Sequence, residues 1–76
     1  MNIDDIILEN FFKATKHILN AETLMRDEHY QTAATELVKS YTYIYQLKVY
    51  NNNHSLTRLS ELLYFNSVFK LEQGGD

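Results

Sequence analysis

The side chains able to do acid–base, nucleophilic or metal chemistry are few, and their spacing suits none of it. The three histidines are His17, His29 and His54. A metal held on one helix takes ligands at i,i+3 or i,i+4, as in His-Glu-x-x-His, because that spacing stacks them on one face. No two of these histidines are so spaced, so all three are expected to be solvated or to cap helices. There is no cysteine, which excludes thiolate metal sites and disulfides alike. Ser40, Ser55, Ser60 and Ser67 lie in helical or capping contexts, none on the Gly-x-Ser-x-Gly elbow that exposes a nucleophile. No glycine-rich loop is present to cradle a phosphate or a dinucleotide. Asp5 and Glu9 are neighbours on a helix surface, but both are expected to face water. The expectation is therefore no catalytic residue, no metal, no cofactor and no small-molecule substrate. The chain reads as a non-enzyme.

Charge narrows the partners. Seven Lys and Arg stand against ten Asp and Glu, a net charge of −3. Nucleic-acid binding needs clustered cations to displace counterions from phosphate, and here Lys13, Lys16, Arg26, Lys39, Lys48, Arg58 and Lys70 are scattered. Direct DNA or RNA contact is disfavoured. Asp4, Asp5 and Glu9 interrupt the first apolar residues, so no signal peptide is read there, and no apolar run reaches the roughly 18 residues of a membrane span. A soluble, cytoplasmic protein without a membrane partner is expected.

The elements that position these residues follow from periodicity and punctuation. Pro is absent and both glycines, Gly74 and Gly75, are at the end, which suits a few long helices and not the many turns of a β fold. Ile7, Phe11, Ala14, Ile18, Ala21 and Met25 recur at steps of four and three, the seam of a heptad pattern. Leu8, Phe12 and Leu19 run beside that seam and widen the face that must be buried. The first helix is predicted over 3–25, with Asp4 and Asp5 at the positive end of its dipole and Glu9–Lys13 and Glu22–Arg26 as i,i+4 pairs. Asp27 is read as the cap of a second helix over 28–50, and an unbroken helix through this point is the alternative. Tyr30, Ala33, Ala34, Leu37, Val38, Tyr41, Ile44 and Tyr45 give that helix its apolar face, with the alanines allowing close approach. Residues 41–50 also alternate like a strand, although Ile44 falls out of step and no second strand is available to pair. Asn51-Asn52-Asn53-His54 is the clearest turn. A third helix over 55–72, capped by Ser55 or Asn53 and ended by Glu72 and the glycines, carries Leu56, Leu59, Leu62, Leu63, Phe65 and Phe69. Short turns make the three helices alternate in direction. The fold class is all-α: one domain, 1–76, a small antiparallel bundle of three helices completed by dimerisation.

Ala21, Tyr30, Ala33 and Leu37 resemble the small and aromatic packing residues of a tetratricopeptide-type hairpin over about residues 14–47. Glu28 stands where that hairpin has its turn glycine, and the chain holds one copy, so the resemblance implies a close helical pair and no array. The pattern of helices is also similar to the minimal helical ribonuclease domains of toxin–antitoxin pairs. Their Arg-x(4–6)-His motif is absent after both Arg26 and Arg58.

Six Tyr and four Phe with no Trp are a heavy aromatic load for 76 residues. If Leu37, Tyr41, Ile44 and Tyr45 face the first helix, Tyr43, Gln46 and Tyr50 point away from it. Tyr gives contact area at low entropy cost plus a hydroxyl for a polar rim, so these three are the expected partner-binding residues. A chain this small has a marginal core and leans on another polypeptide. The function expected is a small protein–protein interaction module, a regulator or inhibitor working through helical faces on another protein or on itself as a homodimer. The alternative is an acidic mimic that blocks a nucleic-acid-binding protein.

Overall fold

The computed structural model describes residues 2–74, which form three helices: α1 (Ile3–Arg26), α2 (Tyr30–Asn51) and α3 (Ser55–Gly74). Gly75, the second glycine expected to end α3, lies outside the described residues. The bundle measures 42 × 19 × 13 Å, with a radius of gyration of 12.6 Å. A compact globule of this length would have about 11 Å. The molecule is a narrow slab one helix length long.

Each junction is set by local chemistry. Asn2 caps α1, its Oδ1 accepting from the Asp5 amide at 2.8 Å, with Asp4 and Asp5 in the first turn. The end of α1 is a true break. The Glu28 amide donates to the Met25 carbonyl and the His29 amide to the Leu24 carbonyl, closing α1 in a Schellman turn around Glu28 at φ +64°. Asp27 is therefore the last cap of α1, not the first of α2; His29 takes that place and makes no side-chain cap bond. The second turn is tied by side chains: His54 Nδ1 accepts from the Leu56 amide at 3.0 Å, and the Thr57 hydroxyl donates to the Asn51 carbonyl at 2.9 Å.

Residues 41–50 are helical throughout. Ile44, the residue out of step with the strand alternation, is fully buried, as helical spacing from Leu37 and Ser40 requires. The α1 seam packs as expected, with Ile7, Ala14, Ile18 and Ala21 buried and Phe11 and Met25 half-buried. Ala14, Ala21 and Ala33 are wholly covered where α1 meets α2, the most extensive pairing in the molecule. Small side chains there let the two backbones approach closely.

α3 docks the opposite way round from the expectation. Its innermost residues are Thr57, Ser60 and Ser67, all at most 1% exposed, flanked by half-buried Leu56, Leu63, Tyr64, Val68 and Leu71. Leu59, Leu62, Phe65 and Phe69, assigned to the packed face, are instead exposed. The physical reason is room. Beside an α1–α2 pair this close, small residues let α3 settle near both neighbours, and Ser60 returns its hydroxyl to the Thr57 carbonyl at 2.8 Å.

Candidate interaction surface

A polar side-chain contact ties each pair of helices, ionic between α2 and α3 and between α3 and α1. His17 Nδ1 lies 3.2 Å from Glu36 Oε1 between α1 and α2, Lys48 Nζ 3.1 Å from Glu61 between α2 and α3, and Lys70 Nζ 2.9 Å from Glu22 between α3 and α1. Glu9 and Lys13 pair along α1 at 3.0 Å as expected. Glu22 does not pair with Arg26. It reaches Lys70, and Arg26 donates to the Thr23 hydroxyl instead. The Glu22–Lys70 contact also shows that α1 and α3 run parallel, C-terminal end beside C-terminal end.

The densest polar cluster surrounds Glu36. Its carboxylate accepts from Asn20 Nδ2 at 3.0 Å, faces His17 and meets Lys39 at 3.3 Å. These partners, Asn20 first, hold its pKa down to about 2 against the ordinary 4.5. The Tyr43 ring stacks on His17, 5.7 Å between centroids and 6° from parallel, with Lys13 Nζ 5.6 Å from its centre. Tyr43 therefore points toward α1, not away from it. Its place on the helix, three residues beyond Ser40, puts it on the α1 side of α2. Gln46 and Tyr50, its companions in the expected binding set, are exposed. Among the described residues, no group of three His, Cys, Asp or Glu is placed to hold a metal ion. No described helix is long and apolar enough to cross a membrane.

What the surface offers instead is hydrocarbon. On α2, Val38, Thr42, Tyr45 and Val49 recur at steps of four, three and four, with Val38, Tyr45 and Val49 at 67, 58 and 66% exposure. On α3, Leu62, Phe65 and Phe69 follow the same rhythm at 68, 56 and 58%. Val38 and Tyr45 of the α2 ridge border a groove that α2 makes with α3 at Tyr64. Its floor is the Tyr41–Tyr64 pair, 5.1 Å between ring centroids, and Val38, Thr42, Tyr45 and Gln46 line a hollow of about 440 Å³ above it. Partial burial and the nearby Tyr41 hydroxyl raise the Tyr64 pKa above its ordinary value. Farther along, Leu62 and Phe65 line a second hollow with Asn52, Arg58 and Glu61. A separate strip, Leu8, Phe12 and Leu19 on α1, stays exposed on the edge facing α3.

No family model, curated protein or solved structure matches this chain.

Sequence reasoning named most of these apolar residues but put them in the core. The pattern places Val38, Tyr45 and the α3 ridge inward because large apolar residues at helical spacing are ordinarily buried. The one available signal was the competing stripe of Thr57, Ser60, Tyr64, Ser67 and Leu71, which has helical spacing on the opposite side of α3.

Proposed function

We propose that this chain is a small non-enzymatic protein–protein interaction module, a cytoplasmic regulator or inhibitor that acts by laying helical faces against a partner polypeptide. One observation carries the reading: α3 seats Thr57, Ser60 and Ser67 at its most buried positions while Leu59, Leu62, Phe65 and Phe69 face outward. A soluble monomer seldom leaves more than a few hundred Å² of contiguous apolar surface in water, and surfaces beyond that mark interaction sites. Gln46 and the Tyr50 hydroxyl supply a polar rim around such a contact. The acidic-mimic alternative finds little support. Glu9, Glu22, Glu36 and Glu61 each meet a basic partner within the molecule, and the carboxylates left over in that reading, Asp4 with Asp5 and Asp27 with Glu28, lie at opposite ends of α1, too few and too far apart for a phosphate-like row.

Capture with the purified chain as bait tests the reading. Wild type should retain a specific protein at low and at high salt, because apolar contact is not screened. A charged pair on one of the two apolar faces, F12E/L19E on α1 or L62E/F69E on α3, should release it. Equal retention by both variants overturns the proposal, and loss of the wild-type contact at high salt favours the mimic.

A further inference from the structure

The outer seam of α3 has a property that its separate residues do not show. At heptad spacing it reads Arg58, Leu62, Phe65, Phe69, Glu72: a cation at one end, an anion at the other, and apolar residues between. Phe65 is its midpoint. A twofold axis passing there, with two α3 helices antiparallel, sets Phe65 against its own copy, Leu62 against the Phe69 region, and Arg58 against Glu72 at both ends. Arg58 and Glu72 are both exposed, and neither is in an ion pair among the described residues. A face meant for its own copy must be complementary to itself under a twofold, and this one is.

We infer that the α2–α3 face is where a second copy of this chain docks, the two pairing antiparallel across Phe65 with the α2 ridge (Val38, Tyr45, Val49) closing on either side. The inference rests on the interaction reading above and names the first partner. The uncovered apolar area is of the order an interface needs. Val38, Tyr45, Val49, Leu62, Phe65 and Phe69 are each between 56 and 68% exposed. Side chains of that size leave on the order of 700 Å² uncovered, close to the roughly 800 Å² that each partner buries in a standard stable interface. Apart from its two ends the α3 seam carries no charge, and the α2 ridge carries none, so the copies meet without repulsion. The resulting core is a four-helix arrangement of two α2–α3 pairs, with steps of four and three suited to shallow left-handed crossing. The α1 strip of Leu8, Phe12 and Leu19 remains outside it.

Sedimentation equilibrium on the full chain at micromolar concentration tests this. Wild type should have twice the 9.0 kDa chain mass. V49E/L62E should sediment as a monomer with its helical circular dichroism kept, since both positions face water in the single chain, whereas F12E/L19E should stay dimeric. Arg58→Glu should weaken pairing by roughly fivefold, the scale of an exposed ion pair, and R58E/E72R should restore it. If V49E/L62E does not fold, a nitroxide at Thr42→Cys in the otherwise cysteine-free chain keeps the test: strong dipolar coupling between copies is expected, and weak coupling overturns the interface. A monomeric wild type, or a dimer lost in F12E/L19E and kept in V49E/L62E, also overturns it. Failure of the charge swap overturns the antiparallel register. A monomer would leave capture of another protein standing, and a dimer that captures nothing would sink that reading while leaving this one.

Discussion

Glu28 holds the α1–α2 turn at φ +64°, a conformation that glycine takes freely and that costs an ordinary L-residue about 1 kcal/mol. It is exposed at the turn and makes no ion pair among the described residues, so little offsets that cost. Glu28→Gly should therefore stabilise the protein by up to about 0.5 kcal/mol, less than the full strain because glycine also loosens the unfolded chain. Thermal unfolding should show a rise of a few degrees, and a fall would mean that the side chain has a partner at this turn. Glu36 gives a second expectation. Its folded pKa of about 2 lies below the ordinary 4.5, so its contribution is fully present above about pH 5 and is lost as pH falls toward 2. Melting temperatures of wild type and Glu36→Gln should differ most near pH 6 and converge toward pH 2. A constant gap across that range would show that the carboxylate's charge is not what matters.

At the scale of the element, α3 is the instructive case. Ser67 Oγ is the one buried side-chain polar atom without a hydrogen-bond partner among the described residues. A buried hydroxyl left unpaired is destabilising by about 1–3 kcal/mol, so Ser67→Ala should be neutral or stabilise by up to about 1 kcal/mol. Ser67→Leu should cost about 1–3 kcal/mol by forcing α3 off its neighbours, the reverse of what hydrophobicity alone suggests. Chemical denaturation of both variants checks the sign, and a stabilised Ser67→Leu would mean that α3 is not closely seated. The same helix marks the limit of what the chain announces in advance. α1 was legible because its Ile7-to-Met25 seam is both apolar and inward, and Asn2, Asp4 and Asp5 punctuate its start. The α2 core was legible through Leu37 and Ile44. α3 was misread in orientation because periodicity says which residues share a face, not which face turns inward. That choice depends on the close α1–α2 approach at Ala14, Ala21 and Ala33, a property of the assembled pair. Tyr43 differs from its expected direction for a related reason: its neighbour is His17, twenty-six positions away, and no local pattern reports a stack across helices.

For the whole molecule, the question is how a slab 13 Å thick at its narrowest stays folded. Its fully buried apolar residues are Ile7, Ile18, Leu37, Ile44 and Leu47, with three alanines, a thin interior for a chain near the size at which lone cores become marginal. Twelve large apolar residues stay exposed among the described residues, four on each helix, so much apolar surface is left in water. If a second copy covers the α2–α3 face, folding and association are linked, and the native state gains stability with concentration by mass action. The melting temperature of wild type should then climb as protein concentration is raised, while V49E/L62E should melt lower and at a temperature independent of concentration. Removing apolar surface from the exposed face of a true monomer would do neither, since a charge on an already solvated position changes stability by about 0.5 kcal/mol or less. A wild-type melting temperature that holds constant with concentration, or a V49E/L62E variant as stable as wild type, would therefore show that this chain stands on its thin core alone.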